Sequence, residues 1–145
     1  MAKVADLLAK KGPRVHCVAP SLTVLQATEI MNQHKVGAVV VIVYDRVVGM
    51  FTERDVLTRV VGEGRDPART LIEDVMTADV AYCQPDTNID HCAAVMRTRR
   101  IRHLPVCDDE GRLLGLVSIG DLNAFYADGQ EAEIHYLHEY IHGRV

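Results

Sequence analysis

Gly49-Met50-Phe51-Thr52-Glu53-Arg54-Asp55, in the first half of a 145-residue chain, returns in the second half as Gly115-Leu116-Val117-Ser118-Ile119-Gly120-Asp121. Each copy reads as a glycine entering a short apolar strand, then a hydroxyl residue, then an aspartate three positions on. An apolar helical pattern resumes behind both, at Val56-Leu57 and at Leu122. A Ser/Thr-x-x-Asp where strand gives way to helix has an ordinary reading. The hydroxyl caps the helix, and the carboxylate favours its positive end. One copy supports no more than that. Two copies make the whole chain worth testing for a repeat.

The repeat extends outward from the motif. Pro20 recurs as Pro85, Val24 as Ile89, Met31 as Met96, and Lys35-Val36 as Arg100-Ile101. One inserted residue then brings the motif copies into line. Upstream, Val4-Ala5-Asp6-Leu7-Leu8 parallels Ile72-Glu73-Asp74-Val75-Met76. The expected organisation is repeat 1 over residues 1–64, repeat 2 over 65–127, and a helical extension over 128–145. Units this short bury little surface alone, so the two halves should share one core.

Composition sets outer bounds. Apolar residues make up 48% and charged residues 25%, ordinary for a soluble globular protein. A net charge of −4 offers no basic face for nucleic acid or an anionic membrane. No stretch approaches the length of a membrane span, and Met1-Ala2-Lys3 leads into no signal-peptide core. Cys17, Cys83, Cys92 and Cys107 lack any Cys-x-x-Cys spacing and read as small apolar residues in a reducing compartment, by default the cytoplasm.

Periodicity gives the elements. Residues 3–10 predict a helix with Val4, Leu7 and Leu8 on one face, stopped by Gly12-Pro13. A short strand from Val15 to Val18 follows, then a helix opened by Pro20-Ser21 with Ser21 as its cap. Val24, Ala27, Ile30 and Met31 form that helix's apolar stripe. The β-branched run over 37–43 predicts a strand buried on both faces. Asp45-Arg46 turns it into a strand over 47–52, and a helix runs from Asp55 to about Val61. The second copy predicts a helix near 71–76, a strand at 80–83, a helix at 87–99, strands at 102–107 and 112–118, and a helix from Asp121. The fold class is therefore α/β (α+β). Two pseudo-twofold-related units, each a three-stranded sheet with flanking helices, pack together and leave clefts at the strand carboxyl ends.

The order of elements, the strand-Gly-x-h-[ST]-x-x-Asp motif in both halves, and Ile101-Arg102-His103-Leu104-Pro105-Val106 resemble a tandem pair of cystathionine-β-synthase (CBS) domains, a Bateman module. The resemblance covers roughly residues 3–127. It implies clefts for adenine-containing ligands such as AMP, ADP, ATP, S-adenosylmethionine or NAD(H), regulation rather than catalysis, and association into dimers. It also implies that Asp55 and Asp121 accept the two ribose hydroxyls. Thr52 and Ser118 can donate to phosphate beside the backbone N–H groups of the helix start. The base slots it implies come from Val15 and His16 in one cleft and Thr77, Val80 and Ala81 in the other, though these strand residues are core candidates in any case.

Arg102 and His103 stand where the first copy has Gly37 and Ala38. Such a pair within a strand needs an anion or a carboxylate partner, which leaves a phosphate-facing role or a structural salt bridge. Gly37 and Ala38 leave room for close backbone approach. Arg54, matched by Gly120, could serve phosphate or stand in solvent. The clefts are thus not equivalent. No dinucleotide fingerprint, P-loop, nucleophile elbow or His-Glu-x-x-His is present, so no enzyme and no catalytic cofactor is expected.

Two functional classes stay open. One is a stand-alone sensor of adenine nucleotides acting on an unknown protein; the other is a structural or stress-associated oligomer with vestigial or metal-linked clefts. Apolar faces expected around Val24–Met31 and Ile89–Met96 suggest a twofold homodimer. In the extension, Ile134, Leu137, Tyr140 and Ile141 suggest a docking helix. His135, His138 and His142, at helical spacing, could hold a metal but lack a completing ligand set.

Overall fold

A computed structural model describes residues 1–129. The chain runs α1 (Val4–Lys11), β1 (Cys17–Val18), α2 (Val24–His34), β2 (Ala38–Val43), β3 (Arg46–Thr52) and α3 (Glu53–Asp55), which continues as a π-helical segment over Val56–Val61. The second half follows with α4 (Ile72–Val75), α5 (Ile89–Arg99), β4 (His103–Cys107), β5 (Leu113–Ser118) and α6 (Ile119–Gly129). Residues 130–145, with the expected docking helix and its three histidines, lie outside the described residues.

The carboxyl ends of α2 and α5 match, while their amino ends differ, since Asn88 before α5 makes no side-chain cap bond. The cap of α2 is Thr23, not the expected Ser21: its Oγ1 accepts from Gln26 N–H at 3.2 Å while Gln26 Oε1 accepts from Thr23 N–H at 2.9 Å. That reciprocal box requires the hydroxyl immediately before the first helical residue, which Ser21 is not. At the other ends, Lys35 and Arg100 both take the left-handed conformation, each at φ 55°. Val36 N–H and Ile101 N–H then return to the carbonyls of Met31 and Met96, both at 3.0 Å. The recurring Lys35-Val36 and Arg100-Ile101 pairs are helix stops.

The sheets are less alike than the repeat predicts. The first has three strands in the order β1-β2-β3, β1 parallel and β3 antiparallel to β2. The second has two, β4 and β5. The strand expected at 80–83 shrinks to one parallel bridge, Cys83 with Val106. Pro105 is the reason. In the first half, Val40 N–H donates to the His16 carbonyl at 3.0 Å. Pro105 occupies the matching position and has no N–H to give. Cys83 still donates to Pro105 O and its carbonyl still accepts from Cys107 N–H, both at 2.9 Å, but residues 80–82 are unpaired.

The halves exchange their leading helices. Val4 and Leu7 of α1 are buried with Ile89, Met96, Leu104 and Leu122 of the second half. Ile72 and Val75 of α4 are buried with Val24, Met31, Val39 and Phe51 of the first. Antiparallel bridges Lys3–Asn88 and Thr23–Leu71 fix the exchange at matching places. The motif glycines make room for it. A Cβ on Gly49 would lie 2.5 Å from Met76 Sδ, and one on Gly115 would lie 3.0 Å from Leu8 Cδ2. A third layer, with Ala38, Val40 and Met50 buried against Val80, Leu113 and Leu116, joins the two sheets.

These cores absorb the helix faces from which a dimer was expected. Val24, Ala27, Met31, Ile89, Cys92 and Met96 are buried within the chain, and Ile30 and Val95 are half-buried. The exposed large apolar groups include Leu57 and Val61, 65% and 64% exposed, with Ile119 and Tyr126 on α6.

Candidate ligand-binding clefts

A cleft of about 600 Å³ opens between the two halves. It gathers Gly37, Thr52, Arg54 and Asp55 from the first half with Thr77, Val80, Ala81, Arg102 and His103 from the second. Ala38 is not among its lining: it is buried between the sheets. Gly37 is there, but the space its missing side chain leaves is taken by Glu53, whose carboxyl carbon would be 3.2 Å from a Cβ. The expected close approach is therefore made by a side chain of the motif itself.

The motif does cap its helix. Asp55 Oδ2 accepts from Thr52 N–H at 3.0 Å and lies 3.3 Å from the Thr52 hydroxyl, which in turn accepts from Asp55 N–H at 3.4 Å. Capping engages one carboxylate oxygen. The other, Oδ1, is 3.6 Å from Arg59 Nε. Asp55 is 6% exposed, so its charge is held in place by fixed donors. Unpaired residues at 80–82, a consequence of Pro105, leave Val80 and Ala81 half-buried on the opposite wall.

Five arginines line the same cleft: Arg54, Arg59, Arg99, Arg100 and Arg102. Arg59 donates to the carbonyls of Val75 and Met76, at 3.2 and 2.8 Å, and Arg54 donates to that of Arg100 at 2.9 Å. Arg99, Arg100 and Arg102 are exposed and form no ion pair with any described residue. Glu53, Asp55 and Asp79 are the acids on the lining, so cations outnumber them. Sequence reading found Arg54 and Arg102 but missed Arg59, Arg99, Arg100 and Asp79. Signals existed: Arg59 is one helical turn from Asp55, and Arg99-Arg100 immediately precedes the conspicuous Ile101-Arg102-His103.

His103 is half-buried in the cleft wall. Burial, then the positive charge of Lys11, pushes its pKa below the usual imidazole value; Asp121 and Glu53 pull the other way, and Arg102 adds to the lowering. A neutral imidazole keeps one donor and one acceptor nitrogen.

The second motif copy is built alike and used differently. Asp121 Oδ2 accepts from Ser118 N–H at 2.8 Å, and Asp121 N–H donates to Ser118 Oγ at 3.1 Å. The same carboxylate oxygen also receives the Lys11 ammonium at 2.6 Å. Burial opposes ionisation of Asp121, but the hydrogen bonds from Lys11 and Ser118 outweigh it and hold the carboxyl below the usual carboxylate range. Val15 packs with Leu113 and Leu116 between the sheets. Val15 lines a separate groove with Cys17, Ile42 and Leu113. His16 stacks on His34, with ring centroids 4.0 Å apart.

Among the described residues no group of three or more His, Cys, Asp or Glu side chains is arranged to hold a metal, and no helix is long and apolar enough to cross a membrane. The four thiols are free, with Cys83, Cys92 and Cys107 buried.

The CBS domain family model matches residues 4–62 and again 72–128. The CBS domain-containing protein YhcV of Bacillus subtilis is 33% identical over 122 residues, covering 84% of each chain. A solved CBS-domain protein from Burkholderia ambifaria is 37% identical with a TM-score of 0.83, over 89% of this chain and 96% of that one. A CBS domain pair solved in complex with 5′-methylthioadenosine and S-adenosyl-L-methionine is 25% identical with a TM-score of 0.74, over 86% and 99% of the two chains.

Proposed function

This chain belongs to the CBS domain family, with one copy in each half, and from that premise we propose that it is a regulatory module whose first cleft binds an adenine nucleotide. One observation carries the reading. Asp55 and Thr52 of one half face Arg99, Arg100 and Arg102 of the other across a single cleft. A nucleoside phosphate needs an acceptor for its ribose diol, donors for its phosphates and a partly apolar slot for its base. Asp55 Oδ1 supplies the first, the arginines supply the second, and Val80 with Ala81 supplies the third. The cleft's size suits a small-molecule ligand.

AMP, ADP, ATP and NAD(H) satisfy the cation-rich wall. S-adenosylmethionine, present in the related domain pair, brings a positive sulfonium and no phosphate, and fits it less well. Because the two walls come from different halves, a bound nucleotide favours the arrangement that lets both reach it. It can shift the module's shape only by its difference in affinity between arrangements. That shape change is the signal, read by another protein chain. In this reading the module regulates another chain and carries out no reaction itself. Leu57, Val61 and Tyr126 are surface a second copy would cover, making the working form a homodimer. Free buried thiols suit a reducing compartment such as the cytoplasm.

Calorimetric titration of the purified chain with AMP, ADP, ATP and NAD tests the reading. Dissociation constants between micromolar and millimolar are expected, about −4 to −8 kcal/mol, and Asp55→Ala should abolish the heat. A folded wild-type chain that binds none of the four would overturn it.

A further inference from the structure

Two thiols of the second half stand where the first half has an apolar pair. In the aligned repeats Cys83 replaces Val18 and Cys92 replaces Ala27. Val18 and Ala27 are buried in one core, while Cys83 and Cys92, 5% and 1% exposed, are buried together in the other. Cys83 bridges to Val106, which belongs to the same core. Cys92 lies with Ile89 and Met96 on the buried stripe of α5 that faces it. Cys107 is buried as well but falls outside this cluster.

The pair sits at the frayed end of the second sheet. Cys83 N–H donates to the Pro105 carbonyl at 2.9 Å, and its Sγ is 3.6 Å from the same oxygen. Just before it, residues 80–82 are unpaired and Tyr82 is 60% exposed. Local opening there admits a small oxidant without unfolding the chain. The two sulfurs are also unequal. A hydrogen bond from Cys83 holds the Cys92 thiol below its usual range, against the opposing effect of burial. The same hydrogen bond, with burial, pushes the Cys83 thiol up. Cys92 lies near the amino end of α5, where the helix dipole favours a thiolate.

We propose that Cys83 and Cys92 are a peroxide-responsive thiol pair that closes into a disulfide and fastens the wall of the open cleft to α5. The Cys92 thiolate attacks one peroxide oxygen, forming a sulfenic acid, and the other oxygen leaves as hydroxide, protonated to water. The Cys83 sulfur then attacks the Cys92 sulfur. The S–S bond forms, and the sulfenic hydroxyl departs with the Cys83 proton as a second water. Two thiols lose two electrons, and one peroxide gains them. Val80 and Ala81 are then tethered through Cys83 to the helix whose carboxyl end carries Arg99 and Arg100. The thiols are free in the resting chain, and the bond forms only under oxidant, as redox-sensing disulfides do. The inference is independent of what the cleft binds.

The folded full chain is exposed to graded hydrogen peroxide, its remaining thiols are alkylated in denaturant, and bonded peptides are mapped by mass spectrometry. Wild type should lose two of its four free thiols together, in one peptide pair joined at Cys83 and Cys92. Dithiothreitol should restore both. Cys83→Val and Cys92→Ala, which install the residues of the first half, should each abolish the bond, and either folded variant suffices. Hydrogen exchange at residues 80–82 should slow on oxidation in wild type alone. Circular dichroism shows which samples are folded. Free Cys83 and Cys92 at every dose the fold survives, a bond to Cys17 or Cys107 instead, or unchanged exchange at 80–82 in the bonded form overturns the proposal.

Discussion

Arg54 Nη1 donates to the backbone carbonyl of Arg100 at 2.9 Å, tying the motif of the first half to the end of α5 in the second. That carbonyl is within reach because Arg100 closes the helix in the left-handed conformation, leaving Ile101 N–H to return to Met96. The clasp lies at the candidate cleft and has no counterpart across the pseudo-twofold, where Gly120 replaces Arg54. The two arginines left open by sequence reading therefore separate: Arg54 holds the halves together, while Arg102 stays exposed and without an ion pair to a described residue.

Arg102→Ala should weaken ADP far more than adenosine. A hydrogen bond to a charged group contributes about 1.5–3 kcal/mol, roughly 10- to 150-fold in affinity. Adenosine lacks the phosphates and should lose little. Equal losses for both ligands, measured by calorimetry, would make Arg102 a structural residue.

Gly49→Ala should cost stability while leaving the Thr52–Asp55 cap unchanged. Its Cβ would meet Met76 Sδ at 2.5 Å and the Thr77 carbonyl at 3.1 Å, an overpacking penalty of about 1–3 kcal/mol. Met76→Ala in the same chain should recover part of the loss, because it removes the sulfur that clashes. Urea midpoints of the single and double variants decide between a clash with α4 and a general glycine effect.

His103 should make the folded chain weaker in mild acid. Its folded pKa is depressed by burial and by Lys11, so the unfolded chain binds the proton first as pH falls. The neutral imidazole's contribution is fully present above the unfolded value near 6.5 and is lost as pH falls through the folded value. Wild type should therefore lose stability relative to His103→Gln between about pH 7 and 5. Parallel denaturation curves at both pH values would show that His103 is not depressed. His16, also depressed, is common to both chains and cancels.

Pro105→Val should lengthen the second sheet. The substitution restores an N–H opposite the Ala81 carbonyl, matching the bond Val40 makes to His16 in the first half. Hydrogen exchange should show a protected amide at position 105. If that amide exchanges as fast as an exposed one, something other than proline keeps residues 80–82 out of the sheet.

The repeat, the α/β class and the paired motifs were legible in the sequence because they depend on local pattern. Apolar period, turn residues and a hydroxyl three positions before an aspartate carry their meaning along the chain. The Lys35 and Arg100 helix stops were visible as a recurring pair, although their left-handed geometry was not. Even the missing third strand of the second sheet was written in one residue, Pro105, whose effect needs only the absence of an N–H. What the tertiary structure alone decided is which half supplies each wall. Periodicity places Leu8 and Met76 on apolar faces without saying that each crosses to the other repeat's glycine. Nor does spacing along the chain bring Arg99 and Arg100 opposite Asp55, or carry the Lys11 ammonium to Asp121. Those contacts join residues far apart in sequence, and they are fixed by how two cores interlock around a pseudo-twofold axis, where the last residue of α1 meets the second motif while Asp79, beyond α4, lines the first cleft.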